Sequence, residues 1–175
     1  QQTLIEKIYQ AAISTISDGA AKRAGIEVGA KVAQAILAKR AQDGAADKES
    51  YRPYTSAGTY VPTIIPEAPQ WVKRVPWLMK DPAQFRPAPP PELGSDIWAQ
   101  DYNEVKALGR FDSQERTSEQ TEIARFWEEV MPPIYHGIVR AVATQPGREI
   151  TQNARLFAAV TQASDDGLIA VFDAK

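Results

Sequence analysis

Apolar side chains recur at three- and four-residue steps over most of the chain, which predicts helices rather than strands. Over residues 3–17, Ile5, Ile8, Tyr9, Ala12, Ile13 and Ile16 share one stripe, so an amphipathic helix with that stripe buried is expected before Ser17-Asp18-Gly19 breaks the pattern. A second helix is expected from Ala20 to about Gln42, with Asp18 as its N-cap, Gly44 as its stop and Val28, Val32 and Ile36 on one face. Gly25, Gly29 and Ala33 lie four apart, a spacing that lets a neighbouring helix approach closely.

Residues 45–94 lose both helical and strand periodicity. Ten of the thirteen prolines fall here, including Pro89-Pro90-Pro91, interleaved with Tyr51, Tyr54, Tyr60, Trp71, Trp77 and Phe85 and with the apolar cluster Val61, Ile64 and Ile65. A solvated linker has no use for so much apolar surface, so an ordered strap wrapped over helices is expected. Its aromatic residues are also candidates for lining a pocket entrance.

Helical signals return at Ser95-Asp96, an N-cap ahead of Ile97, Trp98, Tyr102, Val105 and Leu108, and Gly109 closes that helix. Thr117 and Gln120 form a capping-box signature before Ile123, Phe126, Trp127 and Val130. Pro132-Pro133 can open the next helix, which runs through Ile134, Ile138 and Val142 to Gln145. Trp98 and Trp127, at helix-core spacing, are expected in the core. A last helix begins near Thr151 and sets Phe157, Val160, Ser164, Leu168, Val171 and Lys175 on one face, expected to point to the core. Six helices and no strand make the class all-α, a helical bundle divided into a helical pair (1–44), the Pro-rich strap (45–94) and a helical bundle proper (95–175).

Composition narrows the function. A formal net charge of -2 with scattered Lys and Arg disfavours nucleic-acid binding. The longest apolar runs, such as Leu168 to Phe172, are far short of the roughly 18–20 residues needed to span a bilayer. Without cysteine there is no disulfide, thiolate nucleophile or Cys-ligated zinc, and the compartment stays open. His136 is the single histidine, so a zinc site of the usual kind is excluded and a helix-surface or interfacial role is expected. Asp165, Asp166 and Asp173 raise the thought of a cation site. Asp166, Ile169 and Asp173 share one stripe while Asp165 falls nearer the other, which favours hydrogen bonds or a salt bridge.

Five stretches together resemble the bacterial vanadium-dependent haloperoxidases, within the superfamily of type-2 phosphatidic acid phosphatases. They are GIEVGAKVAQAILAKRAQDG (25–44), FRPAPPPEL (85–93), NEVKALG (103–109), TSEQTEIARFW (117–127) and residues 153–175, so the resemblance spans nearly the entire chain. It implies the amino-terminal half of a two-bundle fold, acting as scaffold. In that family a Lys opens the first oxyanion-binding motif, and Lys175 matches it; Phe172 stands where relatives often have Trp. Asp173 becomes a candidate to contact Lys or Arg groups around the oxyanion. The implied cofactor is vanadate, the implied substrates are hydrogen peroxide and halide, and the implied product is hypohalous acid. The remaining Arg and His ligands, absent from residues 1–175, would come from the carboxy-terminal half, so this chain alone is expected to be inactive. The absence of a helix stop after Leu168 agrees with a shortened chain, and Gln1 in place of Met with the removal of a tag, a signal peptide or a proteolysed leader. An acid phosphatase of the same superfamily and a non-enzymatic helical interaction module are the alternatives, and a homo-oligomer is compatible with each.

Overall fold

The computed structural model describes residues 2–64, 66–128 and 132–175, the side chains of residues 132 and 133 excepted. Gln1, Ile65 and Val130 of the patterns above lie outside the described residues. All regular structure among those described is helical: α1 (Gln2–Ser14), α2 (Ala20–Arg40), α3 (Asp96–Leu108), α4 (Ser118–Glu128), α5 (Pro132–Ala143) and α6 (Ile150–Ala174). Two short 3-10 helices, Pro69–Lys73 and Pro82–Phe85, punctuate the strap. The protein is all-α, as the spacing of its apolar residues predicts. It divides into two units, Gln1–Asp43 and Gly44–Lys175.

In the first unit, α2 begins after Gly19, with no side-chain cap. Asp18, the expected N-cap, is drawn away by Lys22, whose Nζ donates to its Oδ1 at 2.8 Å and to the Ile16 carbonyl at 2.9 Å. The end of α2 is closed by Arg40, whose Nε donates to Asp43 Oδ2 at 2.8 Å. The stripe expected to be buried on α1 is open to solvent: Ile5, Ile8, Tyr9 and Ile16 are exposed and Ile13 is half-buried. An amphipathic stripe is buried only where a second surface meets it, and α1 and α2 do not pack extensively on each other. A Cβ added at Gly25 or Gly29 would meet nothing within 4 Å, so among the described residues no neighbour takes the close approach their spacing permits.

In the second unit α6 is the organising element, packed against α5 and both 3-10 helices. Local signals set the boundaries. Ser95 Oγ accepts from Trp98 N at 3.2 Å to start α3, and Gly109 N donates to the Val105 carbonyl at 2.8 Å to end it. Thr117 and Gln120 exchange the two hydrogen bonds of a capping box at α4. Glu149 and Gln152 do the same for α6. Asn153 Nδ2 donates to the Ala143 carbonyl at 2.9 Å, joining the end of α5 to the start of α6.

The buried face of α6 is not the stripe ending in Lys175. Leu168 and Val171 are exposed, whereas Asp166 and Ile169 are buried, Ile169 completely at 0% relative exposure. The helix is turned so that its carboxylates meet the strap, because the strap presents N–H donors that need acceptors out of water. Val139 on α5 is the other buried apolar residue among those described. Trp98 is half-buried and stacks on Tyr102 with ring centroids 5.2 Å apart. Trp127 is exposed, contrary to its expected place in a core, because no element packs extensively over α4 among the described residues.

Candidate functional site

Where the strap crosses α6, three carboxylates hold it. Asp165 accepts from Arg74 Nη1 at 2.6 Å, Trp77 Nε1 at 2.6 Å and Trp71 Nε1 at 3.3 Å. Arg74 also lies over the Trp71 ring, 4.6 Å from its centroid. One residue on, Asp166 accepts three consecutive backbone N–H groups, from Trp77 at 2.6 Å, Leu78 at 2.7 Å and Met79 at 2.9 Å. The two neighbours point about 100° apart on the helix, so one grips side chains and the other grips main chain.

Two turns further along, Asp173 binds Arg86 in a fork, from Nε at 2.7 Å and Nη2 at 2.5 Å. The hydrogen bond and positive charge of Arg86 hold the Asp173 carboxyl below the usual carboxylate range, against a smaller opposing effect of desolvation. The same contact raises Arg86 further above its ordinary value.

The start of the strap is fixed as well. Gly44 has φ +89° and lies so near the first 3-10 helix that a Cβ would meet Arg74 Cα and the Lys73 carbonyl at 3.3 Å, so only glycine fits both the dihedral and the gap. Not all of the strap is covered. Trp71 and Trp77 are half-buried, but Tyr51, Tyr54, Tyr60, Val61, Ile64 and Phe85 remain exposed.

Lys175 is exposed at the end of α6, with Nζ 5.4 Å from the centroid of the Tyr60 ring. Asp173 therefore pairs with a strap arginine, and Lys175 meets a strap tyrosine. His136 sits half-buried between α5 and α6, its Nε2 3.4 Å from Thr161 Oγ1, whose proton goes to the Phe157 carbonyl. Its ring meets Phe157 edge-on at 6.0 Å. A cleft of about 310 Å³ opens beside it, lined by Arg74, Trp77, Ser164, Asp165 and Leu168.

Vanadate needs several cations and N–H donors converging on its oxygens. Lys175 offers one cation, Arg86 is engaged by Asp173, and His136 lies beside Thr161, about four turns or roughly 21 Å down α6 from Lys175. The described residues do not make a vanadate site by themselves. Among the described residues no group of three His, Cys, Asp or Glu side chains is placed to hold a metal ion either.

Spacing on α6 pointed to Asp165, Asp166 and Asp173 as hydrogen-bonding or ion-pairing residues, and that is what they are. Their partners Arg74 and Arg86 carry no such signal, because a pairing across some 90 residues leaves no local pattern. The one available signal was an excess of tryptophan indole N–H and arginine in a segment with no periodicity of its own. No helix among the described residues is long and apolar enough to cross a membrane. Compared with protein-family models, curated proteins and solved structures, the chain matches none.

Proposed function

We propose that this chain is the helical scaffold of a vanadate-dependent haloperoxidase-like enzyme, in which Lys175 is one oxyanion-binding group. The other ligands would be supplied by further polypeptide, the enzyme's carboxy-terminal half. The reading rests on the five sequence stretches that resemble that family. The observation that carries it is the carboxylate clamp: Asp165, Asp166 and Asp173 fix α6 against the strap over the last turns before Lys175. A lysine that must meet an oxyanion in a set geometry needs such a rigid support. The reaction proposed for the complete enzyme is oxidation of halide by hydrogen peroxide to hypohalous acid, and residues 1–175 alone lack the groups to perform it.

The test begins with intact mass spectrometry of the purified protein, to find any second polypeptide that copurifies. The material is then assayed for vanadate-dependent bromide oxidation and for hydrolysis of a phosphate monoester. Bromide oxidation that needs both vanadate and the second polypeptide, and that is lost in Lys175→Met, supports the proposal. Hydrolysis without oxidation moves the assignment to the acid phosphatases of the same superfamily. A lone species of 19.3 kDa that unfolds cooperatively as a monomer overturns the scaffold reading.

A further inference from the structure

The cleft of about 310 Å³ beside His136 lies where the strap, α5 and α6 meet, and direct contacts hold its three walls together. From the strap, Trp77 Nε1 and Arg74 Nη1 each donate to the Asp165 carboxylate at 2.6 Å. From α5, His136 Nε2 lies 3.4 Å from Thr161 Oγ1, and its ring meets Phe157 edge-on. On α6, Thr161, Ser164, Asp165 and Leu168 lie three and four apart and share one face. The lining is mostly apolar, with rings supplied by Trp77, Tyr135 and His136 and a branched chain by Leu168.

Counting protons shows what this cleft can still bond. Thr161 has one hydroxyl proton and gives it to the Phe157 carbonyl at 2.7 Å. Toward His136 it can only accept, so the neutral imidazole carries its proton on Nε2 and keeps a lone pair on Nδ1. Among the described residues nothing donates to Nδ1, and the hydroxyls of Tyr135 and Ser164 have no hydrogen-bond partner. Charge, by contrast, is already balanced: Arg74, 13% exposed, and Asp165, 18% exposed, form an ion pair. A charged guest would give up its hydration and find its counter-charge taken.

We propose that this cleft binds a small, neutral, single-ring aromatic molecule that carries a hydroxyl. Its ring packs against Trp77, Tyr135 and Leu168, and its hydroxyl donates to His136 Nδ1, while the Ser164 hydroxyl is free to donate to the guest's oxygen. The size agrees, because ligand clefts run from about 300 to 1,000 Å³ and the small end of that range takes one ring. A few placed polar groups in an apolar wall fix the orientation of such a guest. This inference does not rest on the reading of Lys175.

The test is an NMR titration of the full chain at pH 8 with benzyl alcohol, toluene, benzoate and benzylammonium. Benzyl alcohol binds with a dissociation constant on the order of 1 mM, about threefold or more tighter than toluene, and the two ions do not bind. Its addition moves the Trp77 indole and His136 ring resonances. The nitrogen-15 signal of His136 Nδ1, unprotonated in the free protein, shifts with benzyl alcohol and not with toluene. His136→Phe keeps a ring in the wall, so toluene still binds and the preference for the alcohol is lost. The wild-type Nδ1 signal decides the question whether or not that variant folds. A proton on Nδ1 in the free protein overturns the proposal, as does equal affinity for benzyl alcohol and toluene. So does failure of the alcohol to bind, an ion that binds as tightly, or shifts confined to residues away from Trp77 and His136. None of these outcomes depends on whether the complete enzyme oxidises halide.

Discussion

Asp165 on α6 and Trp77 in the strap, 88 positions apart in sequence, are joined by a hydrogen bond of 2.6 Å from the indole Nε1 to Oδ2. Trp71 and Arg74 share the same carboxylate. Asp165→Ala removes the acceptor for all three at once. The expected result is a red shift of tryptophan emission as Trp71 and Trp77 gain water, with a loss of about 2–4 kcal/mol in chemical denaturation. Asp165→Asn, which keeps one carbonyl oxygen, should fall between the wild type and Asp165→Ala.

Asp166 tests main-chain anchoring separately. It is 5% exposed and accepts the N–H groups of Trp77, Leu78 and Met79. Asp166→Ala leaves three partly buried donors without this acceptor, at a cost of about 2–4 kcal/mol. Hydrogen exchange at those three amides should accelerate, while exchange within α3, far along the chain, should not change.

The Arg86–Asp173 pair predicts a pH dependence with a definite sign. The folded Asp173 carboxyl lies below its ordinary value because Arg86 donates to it. Its contribution is therefore present above the unfolded carboxylate pKa of about 3.9 and is lost as pH falls through the lower folded value. Carbon-13 NMR of the side-chain carboxyl should show the depressed titration, and Arg86→Gln should return it to the usual range. An Asp173 that titrates normally in the wild type counts against the fork.

Gly25 and Gly29 sit inside α2 facing open space. Alanine at either position should raise helicity and stabilise α2 by about 0.5–1 kcal/mol, measured by circular dichroism and thermal unfolding. Destabilisation instead would mean that a neighbour occupies that face in solution.

Much of the fold was legible locally. Ser95 and Thr117 with Gln120 start helices, and Gly109 ends one where an added Cβ would meet the Val105 carbonyl oxygen at 2.6 Å, because capping is settled within four residues. Asp18 does not cap α2, since Lys22, one turn on, competes for its carboxylate. The buried faces were the hardest to foresee. The pattern on α6 favoured Leu168 and Val171 over Asp166, because hydropathy ranks a leucine above an aspartate and cannot register that a strap some 90 residues earlier brings three N–H groups in need of an acceptor. Helical spacing predicts a core position for Trp127, yet spacing reports only that a face is apolar, not that anything covers it.

The clamp also fixes an order of events during synthesis. The strap leaves the ribosome well before the aspartates that will hold it, separated from them by close to 90 residues. At about 5–20 residues per second, Trp71, Trp77 and Arg86 wait roughly 5–20 s for their partners. Over that interval a proline-rich, tryptophan-bearing segment stands without its anchor. For those seconds the nascent chain depends on whatever else in the cell shields exposed indole rings, and a pause in translation between Arg86 and Asp165 would lengthen that dependence in direct proportion.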